Sequence, residues 1–156
     1  MNNVAQPINK RARVKARRNA VQALYQWMLT DTDVSEIIKE FESDDHKLAK
    51  ADIDYFKSLI RGVIKHQNDL EKHFHSLIDR QIEELDAIER AILLIGCYEM
   101  EHHIELPYRI VVNESVELAK TFGAEESHKY INGVMDKIAR VLRHTEIQLL
   151  CDHTAL

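Results

Sequence analysis

Apolar residues return along this chain every three or four positions, which is the period of an amphipathic α-helix. The clearest run lies between Tyr108 and Phe122, where apolar residues recur at the i, i+3, i+4, i+7 spacing. No segment alternates strictly between apolar and polar residues, and four glycines and two prolines leave little material for the turns of a β-rich fold. The pattern therefore predicts an all-α protein of about seven helices.

The predicted helices group into two packed halves of one domain that spans residues 13–143. They cover residues 13–29, 33–41, 51–66 and 69–78 in the N-terminal half (13–78), and 85–100, 107–122 and 125–143 in the C-terminal half (82–143). Residues 1–12 are expected to form a flexible basic arm, and the tail 144–156 carries a weak apolar cluster with no assigned element. Gly62, inside a helix, indicates close approach by a neighbour, and Gly123 is expected to end a helix in the left-handed conformation.

All cations of the first thirty residues lie in one short run, and no acid precedes Asp31. The run consists of Lys10, Arg11, Arg13, Lys15, Arg17 and Arg18. The chain holds 21 lysines and arginines, so residues 31–156 carry the other 15 against all 26 acids, a balance of −11. A basic run on an acidic body favours one docked polyanion over diffuse coating, although a solvated helix end would look the same. The helical phase places Arg17 on the apolar side of the first helix, which predicts that its first turns extend past the core towards a partner.

The motifs of common enzyme and metal sites are missing from the sequence. Nine histidines occur, but no HExxH, CxxC or glycine-rich phosphate loop accompanies them, and Cys97 and Cys151 are too few for a disulfide framework. No apolar run reaches the ~18 residues that span a bilayer, and the basic start lacks the features of a signal peptide. We therefore expect no catalytic activity, cofactor, metal or membrane partner, and a cytoplasmic location.

Three segments carry a resemblance to a known family. They are ARRNAVQALYQWML (16–29), LDAIERAILLIGCYEM (85–100) and PYRIVVNESVELAKTFGAEESHKYINGVMDK (107–137), and together they resemble the NusB family of bacterial transcription antitermination factors. The resemblance extends over nearly all of residues 13–143 and implies a fold of two helical bundles. It also implies a non-catalytic role: the family binds single-stranded boxA RNA together with NusE, a small-subunit ribosomal protein. The pair joins the RNA polymerase elongation complex with other Nus factors, chiefly during ribosomal RNA transcription.

The resemblance implies RNA-binding roles for the basic run and for several residues of later helices. The residues that match the family are Arg13, Lys15, Arg17, Tyr25, Glu89, Lys129 and Tyr130. We add Lys10, Arg11 and Arg18 to the predicted RNA-binding set because they belong to the same basic run. Val14 stands where the family has a further basic residue, and Lys10, Arg11 and Arg18 are expected to compensate. Cations neutralise RNA phosphates, tyrosines stack on splayed bases at ~1–3 kcal/mol per base, and a glutamate accepts from base amino groups.

Structural alternatives stay open for several of these residues. Tyr25 lies on the apolar stripe of the first helix and could be a core residue, and Glu89 could pair with a neighbouring cation. For Asn132 and Gly133, packing against a neighbouring helix is favoured over contact with RNA.

Two other functions also stay open. One is a helical module related to ribosomal RNA methyltransferases, although 156 residues leave no room for a cofactor-binding domain. The other is a protein-only scaffold, which a preference for one RNA sequence would exclude.

Overall fold

The computed structural model describes residues 9–154, and this part of the chain folds into α-helices with no strand. Its elements are α1 (Lys10–Thr30), α2 (Val34–Ser43), α3 (Ile53–Lys65), α4 (Gln67–Phe74), a 3₁₀ turn (Ile82–Glu84), α5 (Ala87–His102), α6 (Tyr108–Phe122), α7 (Ser127–Leu142) and α8 (His144–Thr154). The all-α class is confirmed. The additional helix, α8, comes from the tail to which the apolar pattern assigned no element. No helix among the described residues is long and apolar enough to cross a membrane.

Helix α1 begins three residues earlier than the periodicity predicts. Asn9 caps it, because its side-chain oxygen accepts a hydrogen bond from the Ala12 amide at 3.1 Å. Residues 10–12 are therefore helical rather than part of a flexible arm, and residues 1–8 of the predicted arm lie outside the described residues. At the other end, Asp31 adopts the left-handed conformation (φ 53°) and its amide donates to the Trp27 carbonyl.

The two glycines singled out in the sequence have different roles. Gly123 ends α6, but not as a left-handed cap, so that prediction is wrong: its backbone is extended (φ −84°, ψ 171°). The position needs glycine for space, since a Cβ would lie 2.8 Å from both the Ala119 carbonyl oxygen and the Ser127 side chain. At Gly62 the predicted close approach is confirmed, because a Cβ there would overlap the ring of Tyr98 on α5.

The chain divides into two compact units between residues 60 and 61, inside α3. The first unit contains α1, α2 and the start of α3. Its fully buried side chains include Leu24, Ile37, Phe41 and Phe56, and the ring centroids of the two phenylalanines lie 5.5 Å apart. This apolar cluster is the core that holds the basic helix α1 in place.

The first turns of α1 are packed, contrary to the expectation that they extend past the core. Ala12 and Ala16 are buried, and the Asp52 amide, just before α3, donates to the Ala12 carbonyl at 3.0 Å. Arg17 is buried as well. The basic run therefore belongs to a folded element, and only one side of that element is open to a partner.

The second unit is built around α5, as its nearly continuous apolar sequence predicts. Every residue from Ala91 to Cys97 is buried, and α6 and α7 pack against this helix and against each other. Helix α4 joins them through an ion pair between Glu71 and Arg90 at 2.7 Å. The unit boundary therefore falls before α4, whereas the predicted halves placed residues 69–78 in the N-terminal half.

Arg143 connects the last two helices of the second unit to the end of α5. Its buried guanidinium donates to the carbonyls of Met100 and His103 at 2.7 and 2.9 Å, and to the Glu146 carboxylate of α8 at 2.6 Å. Glu146 also accepts from the Tyr108 amide in the first turn of α6 at 3.0 Å. Carbonyl groups at the end of α5 that lack helical partners are thereby satisfied, and α8 is held against α6.

Candidate nucleic-acid interface

One face of α1 carries cations followed by an aromatic ring. Arg11, Lys15, Arg18, Gln22 and Tyr25 follow at i, i+4, i+7, i+11 and i+14, a spacing that aligns them along the helix. Lys15 is half-buried and the other four side chains are exposed; Tyr25 is 39% exposed. We call these five residues the α1 stripe. It is ~21 Å long at 1.5 Å per residue, and it places Tyr25 at the surface rather than in the core.

The opposite face of α1 uses its two arginines for packing. The guanidinium carbons of Arg13 and Arg17 lie 4.2 and 5.5 Å from the ring centroid of Tyr55, which is itself buried on α3. Arg17 is only 4% exposed, and Arg13 has an ion pair with Asp52 at 3.9 Å. Cation–π contacts of this kind are worth ~2 kcal/mol or more where they are desolvated. Sequence reasoning treated the six cations of the basic run as one set. The structure divides them into two groups: Arg13 and Arg17 pack on Tyr55, and the other four do not.

The cations of α1 that do not pack on Tyr55 have no ion-pair partner in the part of the chain that the structure describes. No acid lies in the first turn of α1, and within residues 9–154 no ion pair joins Lys10, Arg11, Lys15 or Arg18 to a carboxylate. Like charges at i, i+4, such as Arg11 and Lys15, repel one another, and cations at a helix N-terminus oppose the helix dipole. A bound polyanion would relieve both effects.

A second candidate surface lies in the second unit, where the residues after α4, the start of α5 and the start of α7 surround a pocket of about 270 Å³. The Ser127 hydroxyl donates to the Glu89 carboxylate at 3.0 Å, and the Arg80 guanidinium is close enough to interact with the same carboxylate electrostatically. The Arg80 guanidinium lies 4.6 Å from the ring centroid of Tyr130. We call Arg80, Glu89, Ser127 and Tyr130 the Tyr130 cluster.

The protonation states in this cluster follow from its contacts. Burial raises the pKa of the half-buried Tyr130 phenol, which donates to the Asp79 carboxylate at 3.5 Å. The hydrogen bond from Arg80, at 2.8 Å, holds the pKa of the Asp79 carboxyl below its ordinary value. Near neutral pH the surface therefore presents a neutral Tyr130 phenol beside the ion pair of Asp79 and Arg80, with Glu89 on α5. This set can stack on a base, contact a phosphate and accept from an amino group.

The remaining predicted residues of α7 lie on the surface. Lys129 is exposed and pairs with Glu126 one turn earlier at 2.9 Å, a contact that contributes little to stability at such exposure. Asn132 and Gly133 are also exposed, and nothing lies within 4 Å of a Cβ built on Gly133. The packing role favoured for these two residues is therefore wrong, and this side of α7 is open.

Sequence reasoning missed three residues of this surface: Asp79, Arg80 and Ser127. Asp79 and Arg80 follow α4 outside any regular helix, where no periodicity marks them, and Ser127 is a single polar residue at the start of α7 that no motif distinguishes. Among the described residues, no group of three histidine, cysteine or acidic side chains is placed to hold a metal ion.

The model of the NusB family matches residues 14–140 of the chain. A transcription antitermination protein NusB from Alcanivorax borkumensis is 47% identical over 146 residues, which cover 94% of this chain and 95% of that protein. The chain belongs to the NusB family. A NusB from a Marinomonas species is 46% identical over 142 residues, covering 90% and 82% of the two chains. These relatives are named as antitermination proteins, and none of them as a methyltransferase.

Solved NusB structures share the fold. A NusB structure from T. maritima superposes with a TM-score of 0.71 at 25% identity, covering 81% of this chain and 89% of that one. A structure described as the antitermination factors NusB and NusE in complex with dsRNA gives a TM-score of 0.69 at 23% identity, with 85% and 99% covered. The NusB match begins at Val14, so Lys10, Arg11 and Arg13 precede it, while Tyr25 and the Tyr130 cluster fall inside it.

Proposed function

We propose that this chain is a non-catalytic transcription antitermination factor that binds single-stranded boxA RNA together with NusE. With other Nus factors it would join the RNA polymerase elongation complex in the cytoplasm, chiefly on ribosomal RNA operons. Family membership supports the role, and the α1 stripe is the single observation that carries RNA binding. It combines three cations and a tyrosine on the open face of a helix whose other face is packed.

The stripe suits a single strand because its chemistry changes along its length. Arg11, Lys15 and Arg18 would contact successive phosphates, and Tyr25 would stack on a base. With Lys10 and the exposed Lys129, about five cations would meet phosphates. At ~0.7 per phosphate, the logarithm of affinity should fall with the logarithm of salt concentration at a slope near −3.5. A flat salt response would contradict phosphate contact by these residues.

The Tyr130 cluster would supply sequence preference. Phosphate contacts position an RNA but do not distinguish its bases, so preference for boxA requires groups that meet base edges and faces. Glu89 offers a carboxylate oxygen to base amino groups, and the Ser127 hydroxyl, which donates to that carboxylate at 3.0 Å, would hold it in place. Tyr130, half-buried beside Arg80, offers a ring for stacking.

The proposed partnership with NusE is supported by a protein of the same fold, which was solved with NusE and RNA. Without a partner, an acidic body with one basic stripe would bind RNA weakly, because most of its surface repels phosphate. A partner that extends the RNA-binding surface would therefore strengthen and sharpen binding.

The test is a titration of fluorescently labelled boxA RNA and a scrambled RNA of equal length, with and without NusE, near physiological salt. We expect tighter binding of boxA than of the scrambled RNA, and a further increase in affinity with NusE. Equal binding of both RNAs with no effect of NusE would contradict the proposed function. Glu89→Gln should reduce the preference for boxA while leaving the salt slope unchanged, because this substitution removes no cation.

A further inference from the structure

A basic pocket lies beside the start of α1, in the first unit. It has a volume of about 580 Å³ and is lined by Asn9, Arg11, Ala12, Lys15 and Lys50. Lys50 stands in the connection between α2 and α3, 35 positions after Lys15 in the sequence, and no pattern in the sequence links it to the basic run. The fold brings it to the edge of the α1 stripe, so three cations and no acid line one pocket.

The three cations of this pocket have no ion-pair partner among the residues that the structure describes. Within residues 9–154, no ion pair connects Arg11, Lys15 or Lys50 to a carboxylate. Asp52, two residues beyond Lys50, already accepts from the Tyr55 amide at 3.0 Å and pairs with Arg13 at 3.9 Å. The first turn of α1 adds the positive end of a helix dipole. Three cations held together without a counter-charge repel one another, and an anion in the pocket would remove that repulsion.

We infer that this pocket binds a backbone phosphate of the RNA and that Lys50 is an RNA-binding residue. The inference rests on the proposed function and adds a contact outside α1 to the α1 stripe. A phosphate fits better than a base because the pocket is lined by cationic and amide groups and contains no aromatic ring. Lys50 would then hold the strand from the side opposite Arg11 and Lys15, so that the backbone lies between α1 and the connection that precedes α3.

The test compares Lys50→Gln with Lys39→Gln, each as the full chain with NusE present. Lys39 is the matched control because it is exposed on α2, lines no part of the pocket and has no ion pair within the described residues. Each variant is titrated with boxA RNA and with the scrambled RNA over a range of salt concentrations. Lys50→Gln should lower the magnitude of the salt slope by ~0.7. If the variant and the wild type bind equally at 1 M salt, this difference in slope makes the variant bind about fourfold more weakly at 0.15 M salt.

Two further features identify a phosphate contact. Lys50→Gln should weaken binding of boxA and of the scrambled RNA by the same factor, because phosphates carry no sequence information. Lys50→Arg should restore the slope, since it restores the cation. Melting temperatures of all three variants should match that of the wild type, because both lysines are exposed.

The outcomes separate this inference from the proposed function. Equal effects of Lys50→Gln and Lys39→Gln would overturn the phosphate site while leaving boxA binding by the wild type intact. A loss confined to boxA would also overturn it, since that result assigns Lys50 to a base. Failure of the wild type to prefer boxA over the scrambled RNA would overturn the proposed function, and this inference with it.

Discussion

Two adjacent arginines of α1, Arg17 and Arg18, should have opposite effects when each is replaced by alanine: the first substitution should lower stability, and the second should weaken RNA binding. Arg17 is 4% exposed and its guanidinium lies 5.5 Å from the centroid of the Tyr55 ring. Removing it eliminates a desolvated cation–π contact, worth ~2 kcal/mol or more, together with the packing of its aliphatic stem. We expect a loss of about 2–4 kcal/mol in the free energy of unfolding. For a chain of this length that is roughly 5–15 °C in melting temperature.

Arg18 is the matched control because it has the same side chain, one position along the same helix, on the exposed face. Arg18→Ala should change stability by about 0.5 kcal/mol or less. Its effect on RNA should be larger: the salt slope should lose ~0.7 in magnitude, and the affinity at 0.15 M salt should fall about fourfold. Arg17→Ala should keep the wild-type slope at temperatures where the variant is folded.

The assay pairs thermal unfolding followed by circular dichroism with RNA titrations over a range of salt concentrations, for both variants and the wild type. Two results would refute the reasoning. In one, Arg17→Ala reduces the salt slope without lowering the melting temperature, which would place its guanidinium on RNA. In the other, Arg18→Ala unfolds many degrees below the wild type, which would place that side chain in the packed face.

Three further predictions concern the second unit. Gly62→Ala should destabilise the protein by about 1–2 kcal/mol, since overpacking against Tyr98 exceeds the gain in helix propensity, and an unchanged melting temperature would contradict this. Burial raises the pKa of the Cys97 thiol to about 12. At pH 8 iodoacetamide should therefore modify the exposed Cys151, and mass spectrometry should detect modified Cys97 only after the protein is unfolded. Tyr130→Ala should weaken RNA binding by ~1–3 kcal/mol and lower stability by ~1 kcal/mol or less; a large fall in melting temperature would instead assign the ring to the core.

Helical periodicity was sufficient to predict the class of the fold and the position of most helices, because amphipathic spacing is a local property of the sequence. It also placed Arg17 correctly on the packed side of α1. The error was to assume that a guanidinium would avoid burial by extending past the core. Tyr55, 38 positions away, supplies an aromatic face for it, and no local pattern could indicate that partner.

The end of the chain also shows that helical periodicity does not predict contacts between distant residues. The tail has only a weak apolar pattern, so periodicity alone did not predict α8. Two polar contacts help to hold this helix: Glu146 accepts from Arg143 at 2.6 Å and from the Tyr108 amide at 3.0 Å. The hydrogen bonds of Arg143 to Met100 and His103, at the end of α5, span 43 and 40 positions. Contacts of this kind depend on where the helices meet, which hydrophobic spacing does not specify.

The packing of α1 bears directly on how RNA would bind. A flexible basic arm would lose conformational freedom on docking, at a cost of ~1–2 kcal/mol for each residue it orders. Here Asn9 caps the helix, and Arg13 and Arg17 are packed on Tyr55, so the backbone that carries the cations of the α1 stripe is already ordered. Two arginines of the basic run would therefore support the proposed RNA binding indirectly, because they hold the helix that carries the exposed cations. A stripe with fixed spacing also favours a strand whose phosphates match that spacing, which charge alone would not do.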